Sequence, residues 1–376
     1  MSIPAAGSSW FQRFLLPGFA MKAVIIGGGY ATGRELAEYF LPSGPWGGLA
    51  GMLLAMLLWI VIAATTFAYA RLAGALDYRA FFADLLGPAW VAFEIAYILF
   101  VVLILAVFGA SAGAIGAAMF GWPSFVGAVL LAVAILATVS LGNSAVEGVF
   151  KYVSFLLYGV YALFLILSLF SFGDRIAAGF ATPAPWTGWA SGGLTYASYN
   201  IIGAVVILPV LRHLTSTRDA VIAGVIAGPL AMAPAILFFV CMVAFYPGIG
   251  AETLPSDFLL RQLNAPVFHW LFQLMIFAAL LESGAGAVHA INERVAGVLR
   301  RRRGIELSPR ARAAIAGGLL LVCMFVAERV GLIALIASGY RLLAYMFLAV
   351  FVLPLMTIGL ARLIRRRSAA PREVAA

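Results

Sequence analysis

Ten apolar runs divide this chain of 376 residues, at roughly 15–40, 46–72, 88–119, 124–141, 147–172, 187–211, 219–246, 266–299, 311–328 and 332–361. A helix needs about 20 apolar residues to cross about 30 Å of hydrocarbon, and the runs are of that size. The third, eighth and tenth exceed it, so they tilt or project beyond the bilayer. Composition points the same way. Apolar residues make up 64% of the chain and charged residues 10%, against about 45–50% and about 25% in soluble domains. These figures exclude a soluble domain, a disordered chain and a nucleic-acid-binding module. They predict an all-α integral membrane protein folded as a single transmembrane domain over 1–376.

The formal charge of +9 is no argument for nucleic acid, because the basic residues sit in short clusters between the runs. With the N-terminus in the cytoplasm, 18 of the 24 Lys and Arg residues fall in cytoplasmic segments and 3 in external loops. The positive-inside rule then favours ten spans with both termini cytoplasmic. Arg300–Arg303 reads as an anchor beside anionic lipid. Cys241 and Cys323 lie inside apolar runs and form neither a metal-type spacing nor a disulfide pattern. No cleavable signal peptide is evident, since the first apolar stretch holds Lys22, Arg34 and Glu35. Ten spans divide five and five about the loop at 173–186. Five is odd, so the second half crosses with opposite polarity. That is the arithmetic of an inverted-topology repeat, here about 15–172 and about 187–361.

Two of the runs carry weak points. Residues 26–35 read Ile-Gly-Gly-Gly-Tyr-Ala-Thr-Gly-Arg-Glu, and each glycine costs a helix up to about 1 kcal/mol relative to alanine. Residues 191–203 read Ser-Gly-Gly-Leu-Thr-Tyr-Ala-Ser-Tyr-Asn-Ile-Ile-Gly, which is polar for a span centre. Backbone that leaves the helix inside a bilayer must face protein, ligand or water. Interruptions at corresponding places in two halves point to a midplane binding site. Close helix packing through small residues is the competing reading of both stretches. A dinucleotide-binding fingerprint is a decoy here, because the glycines fall at Gly27, Gly29 and Gly33 and a membrane span follows.

Ile26–Arg34, then Gly44-Pro45-Trp46-Gly47-Gly48 and Ala68–Gly74, resemble the opening two helices of LeuT-fold transporters. Val146–Tyr152 resembles the fifth helix of that superfamily, and Phe277–Ser283 the eighth. The chain also resembles the YkvI-type membrane proteins, a branch related to the amino acid–polyamine–organocation transporters. The resemblance implies a ten-helix 5+5 inverted repeat, alternating access, and a substrate held between broken helices one and six. It implies a substrate carboxylate on the amides of Gly27, Gly28 and Gly29, with Tyr30 alongside. Free N–H groups and positive dipole at a half-helix N-terminus give that role a physical basis. A substrate ammonium would meet carbonyls and Tyr196, Tyr199 or Asn200, and Tyr97 of the third span would line the cavity. Sodium-coupled relatives offer a Ser/Thr pair on helix eight. Here Leu281 and Glu282 align with it and Ser283 follows, which puts a sodium site near Ala278, Glu282 and Ser283 in doubt. Lys151 aligns with the helix-five lysine of proton-coupled relatives, although some sodium-coupled relatives carry a lysine nearby.

A charge inside a span costs about 2.5–3.5 kcal/mol, so each is a functional candidate. Glu282 is the leading one, as a proton carrier, with a static ion pair as the competing reading. His289 follows on the same helical face. Glu94 has Tyr97 one turn on, and a structural ion pair competes with a cavity role. Arg34 and Glu38 are spaced i, i+4 and can pair. Arg34, Glu35 and Glu38 could close an external gate with Arg341, against simple snorkelling. Lys151 has Glu147 four residues before it, so a plain helix pair competes there. His213, His269 and His289 form no HxxxH spacing and stand beside no plausible nucleophile. The sequence therefore predicts a secondary active transporter of the inner membrane for an amino acid or related small amine or carboxylate. Protons are the expected coupling ion, with sodium as the alternative and no other cofactor. A channel or an intramembrane enzyme are the other classes. The partners are a small-molecule substrate and the lipid bilayer, with no nucleic acid.

Overall fold

The computed structural model describes residues 8–140, 143–304 and 306–369; the side chains of 143–155, 301–303 and 366–369 lie outside the description. Among the described residues every regular element is helical. Glycine, proline and capping residues set the boundaries. Helix α1 spans Leu16–Ile25, α2 Gly28–Ala31 and α3 Arg34–Tyr39. Helix α4 (Gly44–Ala73) opens with Pro45 in its first turn and stops at Gly74, whose left-handed φ of 66° continues no helix. Asp77 caps α5 (Tyr78–Leu86) by accepting from the Ala80 N–H. Helices α6 (Trp90–Phe120), α7 (Ser124–Ser140) and α8 (Asn143–Ala181) follow.

The second half begins with α9 (Trp189–Asn200) and α10 (Gly203–Val206). Ser216 caps α11 (Thr217–Val243), which contains Pro229 and Pro234. A short α12 (Pro255–Leu263) precedes α13 (Pro266–Arg303), α14 (Pro309–Val330) and α15 (Leu332–Ala334). The last apolar stretch continues through α16 (Tyr340–Phe347) to α17 (Leu360–Ala369), with widened π-type turns at Leu335–Gly339, Leu348–Val352 and Leu355–Gly359.

Among the described residues seven stretches are long and apolar enough to cross a membrane: Arg34–Ala73, Tyr78–Phe120, Leu156–Ala181, Thr217–Val243, Pro266–Arg300, Pro309–Val330 and Leu332–Arg365. Ser124–Ser140 is a shorter apolar helix. The two other runs of the sequence, 15–40 and 187–211, are those broken into short pieces. Large apolar side chains such as Phe170, Val267 and Leu321 are exposed on the outside of the bundle, as a surface in contact with lipid tails requires.

Small residues let the backbones approach, which drives packing where lipid is as apolar as the helix surface. A Cβ at Gly224 would run into the Ala63–Ala64 backbone, so α11 lies directly on α4. Gly113 and Gly127 do the same for α6 and α7. Gly192 faces the Tyr39 carbonyl and Gly193 the Gly51 carbonyl, bringing α9 against α3 and α4. The Ser-Gly-Gly of the second weak stretch is thus a packing surface on a continuous helix. The interruption comes later, at Ile201–Ile202. The first interruption falls at Ile26–Gly27, ahead of Gly28 and Gly29, which are helical in α2.

Candidate functional site

Ile26 (φ −73°, ψ 86°) and Gly27 (φ −111°, ψ −168°) take the chain out of helix and start it again in α2. Gly33, with φ 79°, turns it a second time before α3. Three elements press on this double bend. A Cβ at Gly27 would meet Phe108 of α6 at 3.2 Å. One at Gly28 would meet Leu280 of α13 at 2.6 Å and Ser111 of α6 at 3.0 Å. One at Gly29 would collide with the Glu35 carboxylate. The glycines are required because other groups already occupy the space a side chain would fill.

The end of α9 supplies the other wall. The Tyr199 hydroxyl donates to Glu35 Oε2 at 2.5 Å. Asn200 donates from Nδ2 to the Tyr196 carbonyl at 3.2 Å. The Tyr196 ring is fully buried, with centroids of Phe40 at 4.9 Å, Trp59 at 5.6 Å, Tyr199 at 5.7 Å and Tyr39 at 6.3 Å. Trp59 is fixed by its indole N–H, which donates to the Ala197 carbonyl at 3.1 Å. The Tyr340 ring lies 4.5 Å from that of Tyr199, tilted by 36°.

The hydroxyls of Ser111 and Tyr196 are buried and make no hydrogen bond of acceptable geometry, and those of Tyr30 and Tyr161 face only each other. Buried polar groups are nearly always satisfied, so this group of hydroxyls beside the two interruptions stands out. The Tyr30 and Tyr161 rings lie 6.4 Å apart, which joins α8 to the same region.

The sequence candidates fall into separate places. Gly27, Gly28, Gly29, Tyr30, Tyr196, Tyr199 and Asn200 come together at the double bend. Tyr97 does not. It lies eleven residues before Phe108 on α6, about 16 Å along the axis. There the Arg294 guanidinium sits 3.6 Å over its ring and 4.2 Å over that of Tyr78. Arg294 Nη1 also donates to Glu94 Oε1 at 3.1 Å. Glu94 is therefore in an ion pair, and the α6 residues at the bend are Phe108 and Ser111.

The expected external gate also divides. Arg34 Nη1 donates to the carbonyls of Gly250 and Glu252, both at 2.8 Å, and Nη2 pairs with Glu38 at 3.4 Å. Glu35 turns the opposite way, into the bend, because the i and i+1 positions of α3 point to different faces. Arg341 is exposed, and among the described residues no ion pair joins it to Glu35 or Glu38. On the same end, the Tyr39 hydroxyl donates to the Ile336 carbonyl at 2.5 Å and the Ser256 N–H to the Thr32 carbonyl at 2.9 Å. At the end carrying the N-terminus, Arg13 grips Asp219 with two hydrogen bonds of 3.0 and 2.9 Å. Arg71 donates to the Leu214 carbonyl at 2.6 Å and to the Thr215 carbonyl. The bend is thus closed over from both ends.

Glu282 sits two residues from Leu280, about 200° round α13, and so away from the face that touches Gly28. It lies in the neighbourhood of Tyr158 of α8, whose ring lies 4.5 Å under Lys22 Nζ. Ser283 and Ala278 are half-buried on the same helix. The side chains of Lys151 and Glu147 lie outside the described residues. Among the described residues no group of three His, Cys, Asp or Glu could hold a metal ion.

Sequence reasoning missed Trp59, Phe108, Ser111, Tyr161 and Tyr340 at the bend. Ser111 had a signal, as a hydroxyl flanked by glycine and alanine in the middle of an apolar run. The aromatic residues had none, since apolar rings recur throughout the chain.

No protein-family profile matches the sequence. YkvI, an uncharacterized membrane protein of Bacillus subtilis (strain 168), is 24% identical over 341 residues, covering 88% of this chain and 92% of that one. Among solved structures the chain resembles MhsT in complex with L-phenylalanine, with a TM-score of 0.56 and 16% identity over 95% of this chain and 97% of that one. It also resembles a substrate-bound, outward-open Na+-coupled sialic acid symporter, with a TM-score of 0.57 and 14% identity over 94% of this chain and 82% of that one. The chain has the LeuT fold of these transporters, in a membrane protein with several apolar helices.

Proposed function

We propose that this chain is a secondary active transporter of the inner membrane, working by alternating access around a site at the double bend. One observation carries the reading. Two helices, first in each half of the chain, are interrupted beside each other around buried hydroxyls that lack partners. Such hydroxyls suit a polar solute that takes up their hydrogen bonds on binding. In this reading the seven long helices, the shorter Ser124–Ser140 and the two broken helices make ten spans, with both termini cytoplasmic. The two repeats are about 15–172 and 187–361. The closures at the two ends of the bundle alternate, and Ile26–Gly27, Gly33 and Ile201–Ile202 are the points at which the helices flex.

The substrate is an amino acid or a related small amine or carboxylate, bound by Gly27–Gly29, Tyr30, Tyr196, Tyr199 and Asn200. Protons couple its movement through Glu282, assisted by Lys151. The alternative is sodium near Ala278, Glu282 and Ser283, which a likeness to a Na+-coupled symporter supports.

The test is uptake by proteoliposomes under an imposed pH or sodium gradient. Saturable accumulation that follows one gradient is expected. Rapid non-saturating flux would make the protein a channel, and substrate turnover without accumulation would make it an enzyme. In Glu282→Gln, gradient-driven uptake should be abolished while counterflow exchange persists; unchanged pH-driven accumulation removes Glu282 from coupling.

A further inference from the structure

Glu35 is 3% exposed and lies in the bend itself. One carboxylate oxygen accepts from Tyr199, and the other rests against Gly29, with Asn200 and the Tyr30 amide beside the same group. Hydrogen bonds therefore surround the carboxylate, but among the described residues no cation pairs with it. Its neighbour Arg34 is committed elsewhere, to the carbonyls of Gly250 and Glu252 and to Glu38. A buried carboxylate needs an opposite charge or a proton, because burial of an isolated charge is costly.

Two consequences follow for the ligand. The place against Gly29 where a substrate carboxylate would sit already holds the protein's own carboxylate, and a second anion there would be repelled. Tyr199, which reaches Glu35 through its hydroxyl, belongs to a cluster of tyrosine rings whose faces are electron-rich. Tyr199 carries Tyr340 at 4.5 Å, Tyr196 at 5.7 Å and Tyr39 at 5.8 Å from it. Aromatic faces beside a carboxylate attract ammonium groups by cation–π and charge together.

We propose that Glu35, with the tyrosine rings around it, recognises the ammonium group of an organic cation, so that the substrate is an amine that needs no carboxylate. This rests on the carrier reading above and narrows its substrate class. It also separates Glu35 from the gate: its carboxylate faces the solute, while Arg34 and Glu38 face the loop at 250–252. The Tyr196 hydroxyl, buried and without a partner, is free to accept from the ammonium N–H groups.

The experiment compares matched pairs on the full-length protein in nanodiscs, by thermal shift and calorimetric binding. The amines are phenethylamine, agmatine and choline; their carboxylate-bearing counterparts are phenylalanine, arginine and glycine betaine. At least one amine should bind more tightly than its counterpart, and Glu35→Gln should weaken it roughly 10–100-fold, the size of a lost charge-assisted contact. Counterparts that bind as well as or better than their amines overturn the proposal, as does an unchanged affinity in Glu35→Gln or the failure of every amine to bind. The paired comparison uses the unaltered protein, so it decides the matter even where the variant does not fold. Amine binding without gradient-driven uptake in proteoliposomes defeats the carrier reading and leaves the cation site standing. Uptake of the zwitterions alone defeats the cation site and leaves the carrier.

Discussion

Asp219→Asn should open the end of the bundle that carries the N-terminus. Four hydrogen bonds end on this carboxylate, from Arg13 Nε and Nη2 and from the amide and hydroxyl of Thr215. The clasp ties the N-terminal segment to the start of α11 across more than two hundred residues of sequence. Asparagine keeps the shape, removes the charge, and turns an N–H2 group toward a guanidinium that can only donate. Hydrogen bonds to charged groups contribute about 1.5–3 kcal/mol each before screening. The Asp219 side chain is 6% exposed and that of Arg13 32%, so solvent screening reduces the net loss to about 1–2 kcal/mol. A loss of that size shifts a closed-to-open equilibrium by roughly 5–30-fold.

The assay is maleimide labelling of a cysteine placed at Ala204, a fully buried position on α10 between the bend and this end. Cys241 and Cys323, both buried, are first replaced by alanine. Labelling should accelerate by the same 5–30-fold factor in Asp219→Asn, and Arg13→Gln should add little to it, because both changes remove one clasp. An unchanged labelling rate, with thermal stability lowered by a comparable amount, would refute the reasoning. The clasp would then hold the fold together without controlling access.

Gly33→Ala places a side chain at a φ of 79° and within 2.8 Å of Phe238 and 3.2 Å of Pro255. The left-handed backbone alone costs about 1–2 kcal/mol, so the melting temperature should fall. Arg294→Lys should cost about 1–2 kcal/mol through lost stacking on Tyr97 and Tyr78; urea unfolding monitored by tryptophan fluorescence measures it. Gly224→Ala forces α11 away from the Ala63–Ala64 backbone of α4 and should destabilise by about 1–3 kcal/mol, with a lower yield of monodisperse protein on size exclusion.

The material of the fold is legible in the order of residues alone. Runs of apolar residues longer than a bilayer is thick leave few structures but membrane helices, and glycine clusters mark where such helices are weakest. The first weak stretch did become an interruption, because backbone between Ile26 and Gly33 bends wherever nothing compels it to stay helical. The second stretch is interrupted too, at Ile201–Ile202 within 191–203, but not at its glycine pair. Gly192 and Gly193 are as poor in helix propensity as any glycine, yet close contact with Tyr39 and Gly51 keeps them wound. Propensity is a local quantity worth about 1 kcal/mol, and tertiary packing overrides it.

Which charges share a site depends on how the helices pack. Arg34, Glu35 and Glu38 are neighbours in sequence, and a helical wheel pairs the first with the third. No local rule says that Glu35 turns inward to Tyr199, 164 residues away, or that Tyr97 goes to Arg294 at the far end of α6. Those partners are chosen by how the helices are stacked, a long-range outcome to which 3.6-residue periodicity is blind. The proposed cation site rests on that choice, because a buried carboxylate calls for an opposite charge or a proton.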